Sequence, residues 1–535
     1  MGKIAKWLWR LVRPRISIWM IISPLIYFMA GTALFLVFLT LSFKLFVRPY
    51  LLMHKLKNLP GARAIFTPLI GVFWHFKRDE KAHDDFHLMS KKLIQENPNM
   101  RFIVSPYKDK LQVLLYEPSL VKEFLTKEAS FTSKDPRKFK IFHKSAQKGL
   151  TFAIGDKWVN QRQFISETFN NEFLTGFIPT VQNTAKEWIG HNFKDDTNTA
   201  DAVKKIRWFA AKIGAKLFFG EKGFSSRDEF KDFMKAGLET HASWTQIKTS
   251  IWRFIFGSKF YKLGLRSIDR QFNRQSKLLD RIYGEKIEEF KKKLEEKEQA
   301  TEESSSSSPN TLLEMFLAQN KSDNPAKQMD NADIIGQIST FFSAETNATA
   351  AFLTSALYFL AKHKDVQHRL RKEVAEKYGK NKSVDFETLN DMEYLDSFLK
   401  ETLRLQPPTS LLYQRKVKES MSLVDIKLKK GDRVNVDVLG MGYNPNLFSD
   451  PTEFQPDRWI VKKDPGVNEQ FAHIPFSEGS HQCPGKQFAL TQSKVLICEL
   501  LQKFNVGFEK SPNVRLGFDF VYHIQSPLKM TFAKV

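Results

Sequence analysis

The apolar positions of this chain fall into a few distinct runs. Ile16 to Phe43 carries no charged side chain and is rich in Ile, Leu, Phe and Met. That is longer than the roughly 20 apolar residues needed to cross a bilayer, and it predicts one N-terminal transmembrane helix. Pro24 is a kink site, or the excess length is taken up by tilt. A cleaved signal peptide is the alternative, but the run exceeds an ordinary signal and has no clear small-residue cleavage site. Ile334 to Leu360 is a second long helical pattern, interrupted by the polar stretch Ser343 to Thr349. A third leaves a glycine-containing loop and runs on through Leu490, Leu496 and Leu500. Val434-Asn-Val-Asp-Val438 alternates as a strand does. Between these runs, residues 291–310 read as a charged, then serine-rich, flexible loop. Leu59-Pro60-Gly61 and Pro68-Leu-Ile-Gly71 read as a turn-forming connector. The expected order is therefore a basic segment at 1–15, an anchor at 16–43, a basic, proline-containing hinge at 44–71, and one large domain at 72–535.

Composition narrows the picture. The chain has 535 residues, 42% of them hydrophobic, enough for a substantial core. Its two cysteines, Cys483 and Cys498, allow no disulfide framework, which suggests a reducing compartment. Cys498 lies in the apolar run Val495-Leu-Ile-Cys498 and reads as core packing. The net charge of +23 suits an anionic membrane surface or an acidic protein partner. No recognisable nucleic-acid module accompanies it, so no nucleic acid is expected. Lys3, Lys6, Arg10, Arg13 and Arg15 precede the apolar run, and Lys44, Arg48, Lys55 and Lys57 follow it. Charge alone leaves orientation open.

The chemistry concentrates in Phe476-Ser-Glu-Gly479-Ser-His481-Gln-Cys483-Pro484-Gly485. Pro484 suits a first helical position, so the cysteine is expected at the positive end of a helix, with its thiol pKa lowered. Gly479 and Gly485 leave no side chain where a flat, bulky group would lie. Four other patterns accompany it. Trp158 and Arg162 fall one helical turn apart, as do Glu401 and Arg404. Phe454-Gln-Pro456-Asp-Arg458 follows, and the long helix carries Glu345, Thr346 and Thr349.

The F-x-x-G-x-x-x-C-x-G loop resembles the haem-ligand loop of the cytochrome P-450 superfamily, and the other patterns occur in that family's order. The resemblance implies a mainly α fold with a small β-rich subdomain and one N-terminal transmembrane helix. It makes Cys483 the axial ligand of haem b iron, and Phe476, Gly479 and Gly485 part of the haem cradle. Trp158, Arg162, Arg415 and His481 become propionate contacts, with His481 where the family usually has arginine. Glu401, Arg404 and Arg458 become a buried supporting network.

In the long helix, local motif makes Glu345-Thr346 the acid–alcohol pair. Counting back from Ala356 to His363 puts Asn347 and Ala348 there, followed by Thr349. Either threonine fits the expectation of an oxygen-activating hydroxyl working with Glu345. The implied reaction is monooxygenation of a small apolar, lipid-like substrate with O2. Electrons would come from NADPH through a separate flavoprotein reductase, since no flavin or nicotinamide module appears in the chain. The implied place is the endoplasmic reticulum membrane, catalytic domain cytosolic, with a mitochondrial membrane as the alternative. Two rival functions remain: a haem-thiolate isomerase or dehydratase of lipid hydroperoxides, and a non-enzymatic haem sensor.

Overall fold

The computed structural model describes residues 2–67, 71–107, 109–134, 146–193, 198–250, 260–300, 311–320, 328–379, 384–412 and 414–535. They form two compact units, Met1–Trp74 with Phe102–Val113, and His75–Arg101 with Leu114–Val535.

In the first unit a helix runs from Lys3 to Ser42, passing through Pro14 and Pro24 without a break. A π-turn at Phe43–Val47 joins it to a second helix, Arg48–Leu56. The stretch Ser23–Leu56 has a most apolar window of mean hydropathy 2.1, none of it buried, and is long enough to cross a membrane. Leu25, Phe28, Leu34 and Phe38 all point outward. The helix continues beyond Phe43, so the first part of the expected hinge is helical. Pro49, at the second position of Arg48–Leu56, follows the π-turn directly, so its missing N–H coincides with the change of helical register. The hinge residues Pro68, Leu69 and Ile70 lie outside the described residues.

The second unit is mainly helical. Its axis is a continuous central helix made of Asn331–Ala344, a π-turn at Glu345–Thr349, and Ala350–Lys362. The Asp330 side chain caps it by accepting the Asp333 N–H at 2.6 Å. Its C-terminal part packs on the helix Ala202–Phe219. A Cβ on Gly149 would lie 2.1 Å from the Gly336 carbonyl, so backbone meets backbone there and no side chain fits. The cysteine helix, Lys486–Leu501, packs on Asn171–Asn192. Small antiparallel sheets complete the unit. Phe504–Phe508, Lys529–Lys534 and Asn198–Asp201 form one, with Lys529–Lys534 in the middle. Arg415–Val417 pairs with Arg433–Val436 and with Thr132–Ser133.

The charged run after Lys291 departs from expectation. Ser267–Ala300 is one helix, so residues 291–300 are helical, and 301–310 lie outside the described residues. The reason is side-chain spacing: Lys293 pairs with Glu289 at 2.6 Å and Lys292 with Glu296 at 3.7 Å, both one turn apart. Residues 251–259 are also outside the described residues, while Tyr261 packs with Trp244 and Phe272 in a small core of their own.

Candidate functional site

The cysteine loop is a tight backbone device. Ser477 and Gly479 have positive φ, 61° and 76°. At Gly479 a Cβ would meet the Leu125 carbonyl at 3.0 Å, so glycine is needed there for both conformation and space. The Cys483 N–H donates to the Phe476 carbonyl at 2.8 Å and the Gln482 N–H to that of Gly479 at 3.1 Å, which closes the loop. Helix begins at Lys486 with Gly485 at its N-cap, so Pro484 stands in the turn before it and not at the first helical position as expected. The thiol also departs from expectation. Burial pushes its pKa up, and Glu345 adds to the effect; the Gly485 N–H, Arg162 and Lys486 oppose it without prevailing. Yet Cys483 keeps accessible surface. A thiol that is accessible while protein crowds it opens into a recess, and there desolvation outweighs the helix end.

Beside the recess is a cluster of like charges. Burial and the cations Arg415, Lys134 and Arg162 bring the His481 pKa down to about 3, so that imidazole is neutral. Burial, with Arg415 and Arg162, lowers the Lys134 pKa to about 7 against the opposing pull of Glu128. Burial also lowers the Arg162 pKa. The Trp158 and His481 rings lie 4.0 Å apart between centroids. The Arg415 Nε donates to Glu128 Oε2 at 3.0 Å, and Lys134 Nζ donates to the Leu150 and Ala153 carbonyls at 3.0 and 3.2 Å. Lys134, Arg162 and Arg415 face one carboxylate, Glu128, so cationic groups outnumber anionic ones here even with Lys134 only partly protonated near neutral pH. Such a set attracts a group bearing two carboxylates.

Within the central helix, Ala344 is the only exposed residue between Ala332 and Lys362, and Ala348, one turn on, is partly exposed. These two alanines mark the face that looks on to open space. Glu345, Thr346, Asn347 and Thr349 are all buried. The Thr349 hydroxyl donates to Glu345 Oε2 at 3.1 Å. Asn347 Nδ2 donates to the Ser343 carbonyl at 2.7 Å, using an acceptor that the π-turn frees. Thr346 Oγ1 has no hydrogen-bond partner among the described residues. Burial raises the Glu345 pKa to about 7, against the opposing pull of Gln492 and Thr349. The structure thus brings Glu345 and Thr349 together and sets Thr346 apart.

Glu401 is fully buried in the helix Glu393–Leu405. Its two oxygens accept from Arg404 Nε and Nη2 at 2.9 and 2.8 Å, Arg458 Nε at 3.0 Å, Trp459 Nε1 at 3.0 Å and the Gln455 N–H at 2.9 Å. Arg404 Nη1 goes on to the Gly442 and Pro451 carbonyls at 2.6 and 2.7 Å. Burial alone would raise the Glu401 pKa, but Arg404 and Arg458 hold it below the ordinary range.

Residues 60–531 match the cytochrome P450 family. The chain belongs to the cytochrome P450 family. Among its relatives, mouse cytochrome P450 4X1 is 25% identical over 87% of this chain and 88% of its own length. Human cytochrome P450 4F8 is 25% identical over 73% and 75%. The 11-oxo-beta-amyrin 30-oxidase of Glycyrrhiza uralensis is 25% identical over 75% and 74%. In fold, the retinoic acid-bound cyanobacterial CYP120A1 superposes with a TM-score of 0.71 at 19% identity, covering 89% of this chain and all of that one. This P450 is accordingly a haem-thiolate monooxygenase.

Haem fits the residues present. An accessible thiol beside an excess of cationic groups suits a flat group with one metal and two carboxylates. Neither Trp158 Nε1 nor the Arg162 guanidinium has a hydrogen-bond partner among the described residues, and both are free to donate. Phe476 packs at the edge of the main core, next to the loop it begins. Sequence reading missed Lys134, Glu128 and Gln492. Lys134 has no fixed spacing to any motif. Gln492 carried no signal, since it stands among other polar residues, Thr491, Ser493 and Lys494.

Proposed function

We propose that this P450 inserts one oxygen atom of O2 into an apolar, lipid-like substrate at the endoplasmic reticulum membrane, using electrons from an NADPH-dependent flavoprotein reductase. The observation that carries the reading is the recess itself: an accessible Cys483 thiol, the cationic groups Arg162, Lys134 and Arg415 at one edge, and the alanine-lined face of the central helix. Thiolate-ligated haem, when bound, supplies the activation of O2 and the oxygen transfer. The chain does the rest. Cys483 supplies the ligand sulfur, and the metal takes over its proton's place. Arg162, Trp158, Lys134, Arg415 and neutral His481 fix the cofactor's rim by its carboxylates. Phe476, Gly479 and Gly485 shape the backbone against its face. Glu345, its Oε2 fixed by the Thr349 hydroxyl, holds a proton near neutral pH. Glu401, Arg404 and Arg458 support the loop and touch no reactant.

The apolar N-terminal helix supports a membrane location, where apolar compounds concentrate, with the catalytic unit on the cytosolic side. The basic surface supports docking of an acidic reductase. An optical titration of the haem-loaded protein with long-chain fatty acids, sterols and triterpenes tests the substrate class. A saturable high-spin shift with one class identifies it, and NADPH-driven oxidation of that compound should follow. No shift with any class contradicts the lipid reading.

One observation favours a second reading. Ala344 and Ala348 put neither acid nor alcohol on the open face, which suits an isomerase or dehydratase of lipid hydroperoxides. Turnover of a hydroperoxide without NADPH would establish it in place of the first.

A further inference from the structure

One polar cluster in the core joins segments that lie far apart in sequence. His87 stands at the N-cap of the helix Leu88–Glu96, Ser410 just beyond Glu393–Leu405, and Asp437 at the N-cap of Val438–Gly442. All three side chains are fully buried. His87 Nε2 lies 2.8 Å from Ser410 Oγ, and His87 Nδ1 lies 3.9 Å from Asp437 Oδ1. Hydroxyl, imidazole and carboxylate follow one another as in a nucleophilic triad, but a hydroxyl without accessible surface meets no substrate. The Asp437 carboxylate otherwise accepts from neutral donors: the Gly440 N–H at 2.8 Å, the Tyr116 hydroxyl at 2.9 Å and the Ser90 hydroxyl. A Cβ on Gly440 would lie 2.5 Å from Tyr116 and 2.7 Å from Ser90 Oγ, so protein alone fills the place. The rings of Phe76, Phe86 and Tyr522 surround the imidazole at 5.2, 5.0 and 5.0 Å. An apolar pair at 87 and 410 would pack there with no polar atom to satisfy.

Burial brings the His87 pKa down to about 4, against the pull of Asp437 and Asp85, so the ring is neutral and carries one N–H. Electrostatics assigns that proton to Nδ1, where it faces the carboxylate; on Nε2 it would leave a lone pair turned to the anion. Nε2 is then the acceptor, and the Ser410 hydroxyl donates to it. What Ser410 anchors is the strand that carries Arg415. The Leu439 N–H donates to the Ser410 carbonyl at 3.2 Å, Leu411 bridges to Asp437, and the Leu412 N–H donates to the Val436 carbonyl at 3.0 Å. Asn435 Nδ2 donates to the Leu412 carbonyl at 3.0 Å, and the pairing runs on to Arg415 opposite Val434. Ser410 is thus the fixed start of a zipper, and a slip of one residue along it would turn Arg415 to the other face. We propose that His87 is a positioning residue for Arg415: through Ser410 and Asp437 it fixes the strand that presents this cation to the rim of the cofactor. This rests on the reading of Arg415 as a contact of the cofactor's carboxylates.

The test is the rate of haem transfer from the full-length haem protein to apomyoglobin, in Arg415→Leu, His87→Phe, His87→Gln and the double variant Arg415→Leu with His87→Phe. Arg415→Leu should speed haem loss roughly 10- to 100-fold, as loss of a charge-assisted contact does. His87→Phe should speed it roughly 2- to 10-fold, the effect of one hydrogen bond. His87→Gln, whose carboxamide can still accept from Ser410, should restore most of the native rate. In the double variant His87→Phe should add nothing, because a residue that acts through Arg415 has no effect once Arg415 is gone. A general loosening of the core would instead speed haem loss equally in both backgrounds. Ser410→Ala takes the place of His87→Phe in the same cycle, with the same outcomes, if His87→Phe does not fold. If Arg415→Leu alone leaves the rate unchanged, Arg415 does not contact the cofactor, and the underlying reading fails. If Arg415→Leu speeds haem loss while His87→Phe leaves the rate unchanged, or adds in full to Arg415→Leu, the positioning role alone is overturned.

Discussion

Replacing Glu401 by glutamine removes one charge and keeps nearly the same volume. The carboxylate is fully buried and accepts five hydrogen bonds, three of them from Arg404 and Arg458. Glutamine keeps one acceptor oxygen and turns an N–H₂ toward groups that also donate. Arg404 then loses its counter-charge and Arg458 keeps only that of Asp464, and breaking a buried pair from one side costs about 3–5 kcal/mol. That is roughly two to three and a half orders of magnitude in the folded-to-unfolded ratio, a large share of a domain's stability. Lys400 is the control. It is the next residue back, half exposed, and pairs with Asp396 at 2.7 Å, so Lys400→Ala should cost about 0–1 kcal/mol. The assay is the thermal inactivation rate of the full-length haem protein in detergent, followed by loss of the haem band, since unfolding of so large a chain is read as a rate. E401Q should inactivate far faster than K400A or accumulate poorly on expression. The depressed Glu401 pKa adds a direction: its stabilisation is present above the ordinary carboxylate range and is lost as pH falls through the lower, folded value. Equal inactivation rates for E401Q and K400A would refute the network as the support of the loop.

Three further outcomes follow from the site. Arg162→Leu removes a charge-assisted contact worth about 1.5–3 kcal/mol, so haem transfer to apomyoglobin should speed up roughly 10- to 100-fold; an unchanged rate would remove Arg162 from the cofactor's rim. In the haem-free protein Lys134 has its pKa lowered to about 7 from 10.5, so the unfolded chain binds the extra proton between those values, and stability rises with pH across that window. Lys134→Met should flatten that rise and stabilise the haem-free protein most below pH 7, as denaturation at pH 6 and 9 would report. Ala348→Thr places a hydroxyl on the open face and should raise product formed per NADPH consumed several-fold, whereas a hydroperoxide isomerase would gain nothing.

Much of this was legible because the decisive residues are close in sequence or fixed by helical spacing. The cysteine loop spans ten residues, and Glu401–Arg404 and Trp158–Arg162 each meet within one turn. Val434 was readable as part of a strand, and it pairs directly with Arg415. What stayed hidden depends on tertiary context. Lys134 joins the cation cluster only through the fold. The register of Ser343 to Thr349 was ambiguous because a π-turn shifts the faces by one residue, and accessible surface at Ala344 shows which side is open. The thiol pKa was misjudged because a helix end was weighed without the burial around Cys483. The charged stretch after Lys291 looked flexible by composition, yet its Lys–Glu spacing sustains a helix to Ala300.

The central claim is that Cys483 is the thiolate ligand in a haem site built by this chain. The most direct measurement is the optical spectrum of the reduced carbon monoxide complex for the native chain, Cys483→Ala and Cys498→Ala. Cys498 is fully buried, its sulfur 3.7 Å from that of Met392, and serves as the core control. The account predicts the thiolate-ligated band in the native chain and in Cys498→Ala, and its loss in Cys483→Ala. A thiolate-ligated band that survives Cys483→Ala would contradict it.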